Sequence, residues 1–219
     1  MSTSWFDQAI GLAAGVLLLT SVLLVWKRSL AAAVRSLAVQ GAALAVLVAV
    51  IGIHEGDAEL VAIAFLVLAL KGFLLPWVLD RSRVRIAAVR EETPLLNTTA
   101  SLLALSLLTM LAYLVSRPFL TLAPGPTSAA VPVGISLVLY GFLILTTRRH
   151  AISQLVGFLV LDNGIATVAF LTSGGVPLVV ELGASLDVLL VVLILRVLTS
   201  RITAEFGAAD LDDLMELRD

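Results

Sequence analysis

The sequence predicts an all-α, polytopic membrane protein with seven transmembrane helices, and three observations carry that prediction. Of its 219 residues 60% are hydrophobic and 14% charged, where ordinary globular chains carry about 25% charged residues. The mean hydropathy is +1.08. Apolar runs of about 20 residues, the length a helix needs to cross a hydrocarbon core, recur from one end of the chain to the other. Those runs are continuous and lack the in/out alternation of barrel strands, which selects helices. A soluble enzyme with a loop-built active site is excluded. The absence of Cys excludes iron–sulfur and thiolate metal sites in this chain, and its two His, His54 and His150, lie beside apolar segments rather than inside them, so no metal ligand is assigned.

The predicted spans are residues 5–26, 30–53, 58–79, 98–116, 128–147, 151–172 and 177–199. The first has no basic residue before Lys27 and carries Asp7 at its edge, so it reads as a retained span rather than a cleaved leader. Its Gly11 and Gly15 form a GxxxG, a pattern of close helix packing. The second holds Arg35, near enough to one end to snorkel, and Gln40; both are read as structural. In the third, Lys71 near the middle is followed by Gly72 and Pro76. The Pro76 ring clashes with the carbonyl four residues earlier, so a kinked, partly hydrated segment is expected beside a buried amine. Asp162, Asn163 and Gly164 fall midway along the sixth span, and Glu181 and Asp187 lie in the seventh, about 240° apart around the helix. Trp5, Trp26 and Trp77 sit near span ends as interface anchors.

Orientation follows the Lys and Arg of the short loops. Lys27 and Arg28 follow span 1, Arg81, Arg83, Arg85 and Arg90 follow span 3, Arg148 and Arg149 follow span 5, and Arg201 follows span 7, while the alternate loops hold Arg117 alone. The expected arrangement has the N-terminus outside and the C-terminus in the cytoplasm, which an odd number of spans satisfies. A charged loop from Asp80 to Leu96 and a stiff connector with Pro118, Pro124 and Pro126 divide the chain. Residues 1–97 hold spans 1–3 and the charged loop, 98–127 a bridging helix and outer loop, 128–202 a three-helix bundle, and 203–219 an acidic tail at the membrane surface.

Ionisable groups at bilayer depth cost about 2.5–3.5 kcal/mol each on insertion scales, so they face protein or water and carry function by default. Lys71, Asp162, Glu181 and Asp187 are the candidate proton-path residues. Desolvation of such amines and carboxylates favours their neutral forms, so the group can exchange protons near neutral pH. The structural alternative is that they act as ion-pairing and hydrogen-bonding glue between helices.

The run Gln154-Leu155-Val156-Gly157, then Asp162-Asn163-Gly164-Ile165, then Pro177 to Val180-Glu181-Leu182-Gly183 and Asp187-Val188-Leu189 resembles the hydrogenase-4 component E family. The resemblance covers the last 60 to 75 residues of the membrane region; spans 1–3 fit in number and hydropathy only. It implies a membrane subunit of a group 4 nickel–iron hydrogenase or formate hydrogenlyase-type complex. The last three spans are similar to the small three-helix subunit of respiratory Complex I, whose carboxylates are implicated in proton transfer. Glu181 and Asp187 match the family's Glu and Asp, while Asp162 stands where Glu is usual. The Complex I carboxylate falls at the place of Leu159, one helical turn from Asp162 on the same face.

The sequence reading is therefore a membrane-arm subunit of an energy-converting, hydrogenase-like oxidoreductase complex in a prokaryotic inner membrane. It contributes protonatable residues to proton translocation, is not catalytic alone, and holds no cofactor of its own. The resemblance places the nickel–iron centre and iron–sulfur clusters in partner subunits. Expected partners are the bilayer, large antiporter-like and other membrane-arm subunits, and peripheral redox subunits, with no nucleic acid. Two alternatives stand beside it: a subunit of a multisubunit cation/proton antiporter, and a purely structural membrane scaffold.

Overall fold

In hydrocarbon every backbone N–H and C=O must find its partner within the segment, so an apolar run of bilayer length has the helix as its solution. A computed structural model describes residues 5–27, 29–86, 97–122, 124–148 and 151–173, and these are helical throughout apart from short connections. The chain forms α1 (Trp5–Trp26), α2 (Leu30–Glu55), α3 (Ala58–Val67), a π-helical turn (Leu68–Leu74), α4 (Leu75–Ile86), α5 (Thr98–Val115), α6 (Arg117–Leu122), α7 (Pro126–Thr147) and α8 (Ala151–Ser173). Among the described residues six runs are long and apolar enough to cross a membrane: Trp5–Trp26, Ala31–Glu55, Ala58–Arg81, Thr98–Leu122, Pro126–Thr147 and Ser153–Thr172. They coincide with the first six predicted spans. The seventh, with Glu181 and Asp187, and the acidic tail lie outside the described residues.

Local chemistry sets the connections. Between α2 and α3 the turn is only Gly56 and Asp57: Gly56 takes the left-handed conformation at φ 71° and its N–H reaches the Gly52 carbonyl. The Asp57 carboxylate then accepts from the Glu59 and Leu60 amides at 2.8 and 3.3 Å, capping α3. Asn97 caps α5 in the same way, accepting from the Ala100 amide at 2.7 Å.

Two expected boundaries move. Residues 80–86, predicted to open a charged loop, continue the helix as α4, because no Gly or Pro follows the apolar run to stop it. The Pro-rich connector contains the short α6, and Pro126 occupies the first turn of α7, where its missing N–H has no helical partner to lose.

Helices α7 and α8 pack closely against one another. A Cβ at Gly141 would stand 2.6 Å from the Leu161 nitrogen, and one at Gly164 would stand 2.8 Å from the Gly134 carbonyl oxygen, so glycine alone permits this approach. The GxxxG of α1 behaves otherwise. Gly11 and Gly15 have nothing within 4 Å of the place a Cβ would take, and they line an open groove of about 560 Å³ with Tyr113 and Ala129. Small residues permit close packing without requiring it, and the described helices leave this face open.

Two apolar clusters fill the interior. One gathers Leu17, Leu44, Val67, Leu137 and Ala166; the other gathers Leu24, Leu37, Leu75, Tyr140 and Leu159. Ser21, Gln40, Lys71 and Asn163, all buried, fall between these limits on their own helices, so the polar residues form a layer at mid-depth.

Candidate functional site

The site is built where the third span loses its α-helical register. Pro76 has no N–H to offer, and the turn before it widens: the Leu75 N–H bonds to the Leu70 carbonyl five residues back, closing the π-helical turn Leu68–Leu74. The expected disruption beside Lys71 is present, and it takes the form of this wide turn inside a continuous helix rather than a break. π-helical turns of this kind recur at functional sites.

Lys71 projects from the π turn and meets Asp162 of α8, with Nζ 2.9 Å from Oδ2. The Lys71 side chain is 3% exposed and that of Asp162 14%. This is a buried ion pair at membrane depth, formed between residues 91 positions apart in sequence. In such surroundings a cation and a carboxylate stabilise one another's charged forms, and each alone is costly.

Asn163, the next residue on α8, is 4% exposed and donates from Nδ2 to the Gln40 Oε1 at 3.2 Å. Gln40, fully buried, donates in turn to the Ser21 Oγ at 2.6 Å and to the Leu17 carbonyl at 3.5 Å. The Ser21 hydroxyl donates to the Leu17 carbonyl at 2.8 Å. A polar chain thus crosses from α8 through α2 to α1.

A small cavity adjoins Lys71. Lys71, Asn163 and Pro76 line one part of it, and Leu37, Leu75, Leu79 and Leu159 line the rest. It leaves about 10 Å³ for the centre of a water molecule, the space of roughly one ordered water. A lysine ammonium, a carboxylate and room for one water are the elements of a proton-exchange step. The four leucines belong to the cluster around Tyr140 and place apolar side chains between the pair and the end of the bundle where Arg81 and Arg148 lie.

Of the sequence-predicted residues, the structure joins Lys71 to Asp162 and so identifies a partner of the lysine. Glu181 and Asp187 lie outside the described residues. Gln40 was expected to be structural, and its bonds to Asn163 and Ser21 put it one step from the pair. The available signal was an amide at the centre of an apolar span, where an uncompensated polar group is expensive. The motif residues also find local roles: Gln154 Nε2 donates to the Arg148 carbonyl at 3.0 Å and closes the turn before α8, and Gly157 seats α8 against Ile144 of α7. Arg35 is placed as expected near the start of α2, its Nε donating to the Ala31 carbonyl at 3.3 Å.

No protein-family model matches the chain, and no solved structure matches it significantly. It is 52% identical over 220 residues to the uncharacterized protein Rv0085 of Mycobacterium tuberculosis, with 100% of each chain covered. Over 118 residues, 54% of each chain, it is 27% identical to the hydrogenase-4 component E of Escherichia coli K12, and equally to that of Shigella flexneri.

Proposed function

Starting from a chain that belongs to one family with the Mycobacterium tuberculosis protein and has a distant relative named hydrogenase-4 component E, we propose that it is a membrane-arm subunit of a hydrogenase-like, energy-converting oxidoreductase complex. In this reading its work is proton translocation. The observation that carries it is the Lys71–Asp162 pair, buried at mid-depth and 2.9 Å apart, since ionisable groups at that depth are expensive to keep and are retained where they serve a pathway.

The proposal takes seven spans, with the N-terminus outside and the C-terminus in the cytoplasm of a prokaryotic inner membrane. Lys71 and Asp162 form one station; Glu181 and Asp187 supply further ones on the seventh span. The three-helix part, 128–202, faces large antiporter-like subunits, and the redox metals belong to peripheral partners. When the pair exchanges a proton, the ammonium gives it to the carboxylate, directly or through a water for which the neighbouring cavity has room. Both groups then become neutral, which removes the electrostatic reason for their contact. Recharging restores it.

The test is to purify the native assembly through this subunit in mild detergent under anoxic conditions, and to identify its companions and metals. Nickel, iron and hydrogenase-type subunits are the expected result. In that assembly Asp162→Asn is expected to abolish proton pumping while electron transfer continues. Pumping that survives Asp162→Asn, Glu181→Gln and Asp187→Asn alike would refute the proton path, and antiporter subunits without metal would refute the hydrogenase assignment.

A further inference from the structure

The two halves of the ion pair come from different helices, and both are seated on the same two residues of a third. Gln40 of α2 holds Asn163, the immediate neighbour of Asp162. Gly41, next to it, faces the backbone of the lysine: a Cβ there would overlap the Lys71 carbonyl and lie 2.7 Å from the Gly72 nitrogen. We propose that Gln40 and Gly41 are positioning residues that set the Lys71–Asp162 geometry and, through it, the proton affinity of the pair. This rests on reading the pair as a proton station.

The hydrogen-bond polarity of the chain is determined from its far end. The Ser21 hydroxyl spends its proton on the Leu17 carbonyl, so its oxygen faces Gln40 as an acceptor. The Gln40 NH2 must then point toward Ser21 and Leu17, which turns Oε1 toward α8 and requires Asn163 to present Nδ2. Every group of the Gln40 amide that can bond is used. Asn163 lines the cavity together with Lys71. A hydroxyl on α1 therefore decides which face of an amide is offered beside the ammonium, two side chains away. The π turn complements this, because the Lys71 peptide lies against a glycine and cannot move toward α2 without overlap.

Around the pair the described segments bring no other charge to this depth. On α2, Arg35 lies near the helix start and His54 and Glu55 near its end; on α1 Asp7 lies in the first turn; α7 offers Tyr140, bonded to Thr109. Among the described residues Lys71 is thus the charged group that meets Asp162, with Asn163 beside it.

The experiment uses the full chain in lipid nanodiscs and follows the carboxyl infrared band against pH, with Asp162→Asn subtracted to assign it. Gln40→Leu is expected to move the wild-type midpoint by about one pH unit, a tenfold change in proton affinity. The double variant Gln40→Asn with Asn163→Gln keeps the total reach and the donor–acceptor order, and is expected to restore the midpoint. Ser21→Ala removes only a hydroxyl, so it serves should Gln40→Leu not fold, and is expected to shift the midpoint in the same direction. A midpoint unmoved by Gln40→Leu or by Ser21→Ala would overturn the positioning role while leaving the station intact. A wild-type carboxyl band that does not respond to pH would overturn the station itself, and the inference with it.

Discussion

Neutralising one member of the Lys71–Asp162 pair takes a buried counter-charge from the other, and the size of the loss follows from the geometry. At 2.9 Å, with an effective dielectric of about 20, the Coulomb attraction is about 6 kcal/mol before desolvation is subtracted. A lone charge at this depth costs about 2.5–3.5 kcal/mol on insertion scales, and breaking a buried pair costs about 3–5 kcal/mol in folded proteins. The penalty has a ceiling, because the remaining group can neutralise. Taking a proton from an ordinary lysine ammonium costs about 4.6 kcal/mol at pH 7 but only about 1.9 kcal/mol at pH 9. Asp162→Asn is therefore expected to destabilise the protein by about 3–4 kcal/mol at pH 7, and by about 2 kcal/mol at pH 9. Lys71→Met strands a carboxylate instead, whose protonation is easier in acid, so its penalty shrinks toward pH 5. Combined as Lys71→Met with Asp162→Leu, the changes are expected to cost less than either alone. The assay is equilibrium unfolding of the nanodisc- or micelle-bound chain at three pH values, read as a double-mutant cycle. Additive single and double losses, or two single variants with the same pH trend, would refute the argument that this pair carries charge at mid-depth.

Three further outcomes are expected. Gly164→Val places side-chain atoms where the Gly134 carbonyl and the Val138 backbone of α7 already lie, and is expected to cost about 1–3 kcal/mol or more through overpacking; a wild-type melting temperature would show that the α7–α8 approach is not as tight as described. Gly11→Leu, by contrast, meets open space, so the unfolding midpoint of the isolated chain is expected to stay within about 0.5 kcal/mol of wild type. A loss confined to the native assembly would locate a partner at that groove. Tyr140→Phe deletes the hydroxyl that bonds Thr109 across α5 and α7, and should cost about 0.6 kcal/mol, the typical worth of an interhelical hydrogen bond in a membrane. A double-mutant cycle with Thr109→Val checks it, and independent effects would show the bond to be immaterial.

Among the described residues, the membership of six spans, their helical nature and the polar Gln40, Lys71, Asp162 and Asn163 within them were legible in the chain. Each depends on local composition: an apolar run of bilayer length leaves the backbone no solution but the helix. Pro76 likewise announced a disturbance at Lys71, because the missing N–H is a property of the residue itself. The motif at Gln154, Gly157 and Gly164 was visible as a pattern, but its packing meaning came from Ile144 and Val138 on α7, which stand opposite those glycines.

Tertiary structure decided the pairings. Periodicity places Lys71, Asp162 and Gln40 on faces of their own helices and carries no information about which faces meet, so the partner of the lysine could not be read from the chain. The pair, the Ser21–Gln40–Asn163 chain and the water-sized cavity arise from helix rotation and depth, which glycine contacts at α2 and between α7 and α8 determine. The GxxxG of α1 shows the same limit from the other side: the sequence supplies a surface that can pack closely, and only the arrangement of neighbours determines whether anything does.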